Sequence, residues 1–298
     1  MTIPNKLSLI LPKLLKKKLR QPWHNIELFI FFFKSGGRFF YNSEVGNICA
    51  SKSFPRSKNK NKIPIVTRSS REMKRWMVFG RDGEDKLYKW LLNLQSCKTL
   101  WDIGSANGLE GFMVNFLHGS KVVFVEPFTP SIESILKTKF LIESRLLKNI
   151  NVEIVHAACD MEKGYEKLIN HTKPVAGETF NSIEKGIDDY CDGGRKNLSK
   201  KSLQWIKKIT LDEMLLEMKI DAPSHLKIDV DGLELRVLNG GKEFFKKSML
   251  SDCAIEVNDE NPKAVVNFMK RYGFIKYDEN IHHSFKNRFT ADFFFKRT

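Results

Sequence analysis

The sequence has little that would tie it to a membrane span or an oxidising compartment. Its longest apolar run, Leu28–Phe33, falls far short of the roughly 20 residues that cross a bilayer. The run Leu7–Leu15 carries Pro12 and Lys13, meets Lys16–Lys18 and lacks a small-residue cleavage site, so it does not read as a secretory signal. Five cysteines (Cys49, Cys97, Cys159, Cys191 and Cys253) stand far apart, with no C-x-x-C pair and no histidines at zinc spacing. An odd number of scattered thiols argues against a disulfide framework and fits reduced side chains in the cytoplasm. No internal repeat is present, which excludes a solenoid.

The formal charge of +15 is spread unevenly over the 298 residues. Residues 1–75 carry 17 Lys and Arg against Glu27, Glu44 and Glu72, a net of +14, whereas residues 76–298 are nearly neutral at +1. This predicts a basic N-terminal extension and linker over 1–75 and a globular domain over 76–298. In the extension Leu7, Ile10, Leu11, Leu14 and Leu15 share one helical face, which Pro12 interrupts. An aromatic block follows at Phe29 and Phe31–Phe33, and the polar stretch Ser51–Lys62 reads as an exposed linker.

From about residue 84 strand patterns alternate with helical ones. Strands are expected at Thr99–Ile103, Lys121–Glu126, Val152–Ala157, His225–Val230, Cys253–Val257, Phe274–Tyr277 and Ala291–Phe295. Helices are expected at Glu84–Leu94, Leu109–Leu117, Ser131–Leu147, Glu234–Lys246 and Lys263–Tyr272. The alternation implies an α/β fold: a doubly wound, mainly parallel seven-stranded sheet, closed by an antiparallel terminal pair.

The segment Asp102-Ile103-Gly104-Ser105-Ala106-Asn107-Gly108 ends the first of these strands and opens a helix, where open α/β sheets bind ligands. Gly104 and Gly108 permit a tight turn and close backbone approach. An acidic residue ahead of the first glycine suits an ammonium-bearing ligand, and the full G-x-G-x-x-G dinucleotide fingerprint is missing. Glu126 ends the next strand, 22 residues after Gly104, where a carboxylate can accept both ribose hydroxyls. The third strand runs out to Asp160, in place to meet an adenine amino group. Asp102, Gly104, Ser105, Asn107, Gly108, Glu126 and Asp160 are therefore the candidate cofactor residues.

Residues 97–258 resemble the FkbM family of S-adenosylmethionine-dependent methyltransferases. The resemblance is carried by WDIGSANG (101–108), VVFVEP (122–127), ITLDEML (209–215), HLKIDVDGLELRVLNGG (225–241) and AIEV (254–257). It implies a Rossmann-like domain, S-adenosyl-L-methionine as cofactor, and an oxygen of a sugar or glycan-like acceptor as target. The chain departs from the family pattern at Ala106, where Asn is usual, and at Asp231, where Glu is frequent.

Methyl transfer to a hydroxyl calls for alignment, exclusion of water and a base. Lys227, Asp229 and Asp231 alternate, so they point to one side of a strand that should otherwise be apolar. Asp229, Asp231 and Glu256 are the candidate catalytic residues, either as base or as ligands of a divalent metal that lowers a hydroxyl pKa. His156 and His225 read as structural. A nucleic-acid methyltransferase clamping phosphates with the basic arm is the second enzymatic reading. Against it, Asp229-Val230-Asp231-Gly232 stands where base-amino methylation relies on an Asn/Asp-Pro-Pro-aromatic motif. A binding module with a decayed catalytic site is a third, opposed by the intact Asp102, Gly104, Gly108 and Glu126.

The arm resembles a segment lying on an anionic membrane surface, which would make the enzyme peripheral to the inner face of a membrane. The competing reading packs its phenylalanines onto the body. Lys and Arg contribute about 1 kcal/mol each near such a surface. The chain should therefore sediment with anionic but not neutral vesicles, less so as salt rises, and deletion of residues 1–35 should abolish it. No sedimentation at low salt would make the arm structural.

Overall fold

The computed structural model describes residues 29–34, 36–54, 62–68, 70–80, 86–146, 149–170, 181–183, 202–258, 262–283 and 289–298. The Leu7–Leu15 stretch, the centre of the expected linker and Cys191 lie outside these. Residues 29–34 are helical; Phe32 is fully buried and stacks on Phe39 at 4.6 Å, while Phe29 and Phe33 remain exposed.

The polarity of residues 38–66 hides a small antiparallel sheet of β1 (Arg38–Asn42), β2 (Asn47–Lys52) and β3 (Ile63–Val66). Ser51 and Lys52 pair with Pro64 and Ile63, and Phe54 is buried, so an exposed linker starting at Ser51 is corrected by cross-strand pairing. The next helix, α1 (Ser70–Val78), is tied to the body by Glu72, which accepts from the Ser134 hydroxyl at 2.8 Å. A short helix, α2 (Lys86–Leu92), leads into the main sheet.

That sheet contains β4 (Thr99–Ile103), β5 (Lys121–Val125) and β6 (Val152–Val155), joined by α3 (Leu109–His118) and α4 (Thr129–Leu146). Between its halves lies an insertion of β7 (Ala158–Cys159), β8 (Gly164–Asn170), β9 (Asn181–Ile183) and β10 (Ser202–Ile209). These form a separate sheet in the order β7-β10-β8-β9, which the polar sequence concealed. After α5 (Leu211–Leu216), β11 (His225–Ile228) returns to the main sheet. It is followed by two short helices, α6 (Glu234–Asn239) and α7 (Lys242–Lys247), where one longer helix was expected. Then come β12 (Asp252–Asn258), α8 (Pro262–Arg271), β13 (Phe274–His283) and β14 (Phe289–Arg297).

The seven strands lie in the order β13-β14-β12-β11-β4-β5-β6, and β14 runs antiparallel to both of its neighbours. Strand alternation divides the core between the two faces. Trp101, Ile103, Leu226, Ile228, Ile255, Phe293 and Phe295 face one cluster. Leu100, Val122, Phe124, Ala254 and Phe294 face the other, which also takes in Phe32, Ala50, Phe54, Ile63, Ile65 and Trp76. The residues ahead of β4 thus share a core with the main sheet. Among the described residues no helix is long and apolar enough to cross a membrane.

Lys52 is fully buried and donates to the carbonyls of Phe79 at 2.8 Å and Met77 at 3.3 Å, at the end of α1. Burial lowers its pKa from 10.5 to about 7. Between those values the unfolded chain holds a proton that the folded chain has shed, so stability rises with pH across the window. In denaturant titrations the stability of wild type relative to Lys52→Met should rise by up to about 1.4 kcal/mol per pH unit above pH 7. A difference independent of pH would show that Lys52 stays charged in the fold.

Candidate active site

The turn between β4 and α3 is built against the neighbouring strand ends. Gly104 has φ 76°, and a Cβ there would lie 1.9 Å from the Asp229 carbonyl oxygen, so no side chain fits. Gly104 donates its N–H to the Val125 carbonyl at 2.9 Å, and Gly108 (φ 75°) closes the turn on the Ser105 carbonyl at 2.7 Å. Ala106 also has positive φ, and its N–H meets Glu126 Oε2 at 2.9 Å. The other oxygen of Glu126 accepts from the Phe128 N–H at 2.8 Å. The turn and Glu126 are therefore one unit. Ser105 and Asn107 are buried within it, and Asn107 Oδ1 has no hydrogen-bond partner among the described residues.

Sheet register then lines up the carboxylates. Ile103 pairs with Val125 and with Ile228, and Ile228 pairs with Ile255, so one row across the carboxyl edge reads Glu126, Gly104, Asp229, Glu256. Asp292 of β14 is the partner of Glu256 and extends the row. Two residues back, on the same face, Asp102 pairs with Lys227. The Lys227 Nζ lies 3.5 Å from Asp102 Oδ1 and 3.2 Å from Asp229 Oδ2. Both Asp102 oxygens are fully buried and have no hydrogen-bond partner among the described residues. The strand ends at Ile228, and Asp231 sits beyond it in a turn at φ 54°, an unusual conformation that Asp tolerates better than most residues. Glu234 Oε1 braces this turn by accepting from the N–H groups of Val230 at 3.2 Å and Gly232 at 3.0 Å.

So many acids in one place cannot all ionise. Burial, then repulsion from Asp229, Glu234, Asp231 and Asp292, pushes Glu256 up to about 10. Burial also raises Glu126 and Glu234 to about 7 and Asp102 to about 6. Asp231 goes well above the usual range, from burial and then from Asp229, Glu234 and Glu126. Asp229 moves the other way. Burial opposes its ionisation, but Lys227, then Arg75, and hydrogen bonds from Lys227 and Glu256 hold it below the ordinary aspartate value. At neutral pH the site presents an ionised Asp229 against a protonated Glu256. Among the described residues no three His, Cys, Asp or Glu side chains are grouped to hold a metal ion.

Asp160 does not stand open. Its Oδ1 accepts from Arg236 Nε at 2.8 Å and the Met161 N–H at 2.7 Å, and its Oδ2 meets Arg236 at 3.0 Å and Lys208 at 3.1 Å. Those contacts use the four acceptor sites of a carboxylate. The expected adenine contact is therefore corrected to a tie between the insertion sheet and α6, made by partners 48 and 76 residues downstream. His225 is buried at the opposite, amino end of β11 beside Ser224, and His156 meets the Pro127 carbonyl at 3.1 Å. Sequence reasoning passed over Glu110, Arg75 and Asp292. Glu110, in the first turn of α3 and 3% exposed, is paired with Arg75 at 2.6 Å.

A doubly wound sheet with one antiparallel strand next to its edge, and an acidic glycine turn answered by a carboxylate on the adjacent strand, define the class of S-adenosylmethionine-dependent methyltransferases. Within that class the chain belongs to the family of the methyltransferase FkbM domain, whose model matches residues 102–276. It is accordingly an S-adenosylmethionine-dependent methyltransferase. Similar solved structures include magnesium protoporphyrin IX methyltransferase (ChlM) from Synechocystis PCC 6803 with bound SAM, 8% identical over 78% of this chain and 86% of that one, TM-score 0.42. Another is Streptococcus pneumoniae Sp1610, a putative tRNA (m1A22) methyltransferase, 13% identical over 72% and 70%, TM-score 0.41. A third is the putative methyltransferase yhhF from Escherichia coli, 9% identical over 83% and 99%, TM-score 0.39. No curated protein matches the chain.

The residues present fit the cofactor. Asp102 and Asn107, whose side-chain oxygens have no hydrogen-bond partner among the described residues, and the glycine cradle at Gly104 are features a bound ligand would complete. Replacing Glu126 with Ala should weaken S-adenosylmethionine binding at least about tenfold, from loss of charge-assisted hydrogen bonds worth about 1.5–3 kcal/mol. Isothermal titration calorimetry measures it, with circular dichroism to check the fold. Unchanged affinity in a folded variant would remove Glu126 from the site.

Proposed function

We propose that this methyltransferase modifies a hydroxyl oxygen of a sugar or glycan-like acceptor. The observation that carries the reading is the carboxylate row at the ends of β11 and β12. There Asp229 is ionised beside protonated Glu256, with Asp231 at the rim. Carboxyl groups in both protonation states can accept from and donate to the hydroxyls of a polyol, whereas the same negative field repels phosphates. That field weighs against a nucleic-acid acceptor, whose binding rests on cations.

When bound, S-adenosylmethionine supplies an electrophilic methyl group on a sulfonium. In this proposal the turn 104–108 and Asp102 hold its amino-acid end, and Glu126 holds its ribose. Glu256, hydrogen-bonded to Asp229, fixes the orientation of that carboxylate. Asp229 accepts the acceptor's hydroxyl proton as its oxygen attacks, and Lys227 steadies the Asp229 charge from 3.2 Å until then. The buried walls around Lys227 and Asp102 keep water from competing. Attachment of the basic arm to a membrane would bring the enzyme to a lipid-linked acceptor.

Asp229→Asn keeps the size of the side chain and removes the base. Turnover should fall about 10²–10⁴-fold, the usual contribution of a positioned base. Cofactor affinity measured by calorimetry should stay within about threefold, since the ribose contacts are untouched. Labelled methyl transfer from S-adenosylmethionine to defined oligosaccharides and, in parallel, to total RNA tests the acceptor class. Label found in RNA alone, or full turnover by the Asn variant, would overturn the reading.

A further inference from the structure

The family match begins at Asp102, yet one charged side chain reaches the site from well before it. Arg75, on α1, meets Glu110 Oε1 at 2.6 Å, and the sheet face that carries Asp102, Lys227 and Asp229 is the one this segment covers. The guanidinium also interacts electrostatically with Asp229 and Asp102. Its helix is fixed in place. Arg68, just before α1, bonds the Pro130 carbonyl at 3.0 Å and Glu133 at 2.7 Å, Glu72 holds Ser134, and Lys52 binds the chain at the far end.

The amino-acid end of S-adenosylmethionine is a zwitterion, so a site that offers it only carboxylates would be incomplete. Among the described residues two cations serve this carboxylate cluster. Lys227 is enclosed, with its side chain 3% exposed and its ammonium shared between Asp102 and Asp229. The side chain of Arg75 is 28% exposed, and a guanidinium keeps further N–H donors after one contact with Glu110. Its planar fork matches a carboxylate bidentately. We propose that Arg75 binds the α-carboxylate of the cofactor, opposite the ammonium side at Asp102, so that the segment ahead of the matched domain completes the cofactor site. The inference rests on the reading that the 104–108 turn and Glu126 hold the cofactor.

Two nucleoside probes separate the possibilities: S-adenosylhomocysteine, which carries the amino-acid end, and 5′-methylthioadenosine, which lacks it. Calorimetry on the full chain should show Arg75→Ala losing affinity for S-adenosylhomocysteine on the order of tenfold or more. Affinity for methylthioadenosine should stay within about twofold, because no contact to it is removed. Arg75→Lys should recover part of the loss. Glu126→Ala should weaken both ligands, since both contain the ribose; if it weakens neither, the underlying placement of the cofactor fails, whatever Arg75 does. If Glu126→Ala behaves as expected while Arg75→Ala leaves S-adenosylhomocysteine unaffected, the proposal for Arg75 is overturned. Equal loss for both ligands in Arg75→Ala and Arg75→Gln would overturn it too, leaving Arg75 only the task of holding Glu110.

Discussion

One buried ammonium organises the active edge of this enzyme. Lys227 lies under the carboxyl ends of the central strands, within 3.5 Å of Asp102 and 3.2 Å of Asp229. A buried charge is tolerated only when paired, and here the pairing runs across two strands in exact register. Lys227 and Arg75 are too few to neutralise Asp102, Glu110, Glu126, Asp229, Asp231, Glu234 and Glu256. Burial favours the protonated form of all of them, and the nearby cations reverse this at Asp229 and Glu110. Asp229, against the lysine, gives up its proton, and Glu256, one strand farther on, keeps it. The unequal protonation of Asp229 and Glu256 follows from burial and from where the lysine lies.

A second constraint is the contact of Gly104 with the Asp229 carbonyl. With no Cβ at 104, β4 and β11 can end side by side, and the Asp229 N–H bonds the Ile103 carbonyl at 3.0 Å. The same closeness brings the turn proposed to hold the cofactor next to the carboxylate proposed to act on the acceptor. The two halves of a methyl-transfer site are thereby held by backbone rather than by flexible side chains, which favours alignment of reacting atoms.

Much of this was legible in the residues. Short apolar runs such as TLWDI and KVVFV located the strands, and the glycines of DIGSANG marked the turn between β4 and α3 because they stand close together in sequence. The alternation of Lys227 and Asp229 correctly placed both on one side, since side-chain direction in a strand depends only on parity. Other features were illegible. The polar insertion folds as a sheet because its strands pair with one another, and Lys52 enters the core because Met77 of α1 and Phe79 just beyond it offer two carbonyls.

What the sequence determined by itself was local: the strand–helix alternation, the glycine turn, the carboxylate 22 residues after it and the uneven charge of the first 75 residues. The tertiary structure alone decided which charges meet. Asp160 looked free until Arg236 and Lys208 closed on it, and Arg75 looked like one more base in a basic arm until α1 packed beside Glu110. Coulombic pairing acts over a few ångströms in space and takes no account of distance along the chain, so only the folded arrangement could assign those partners.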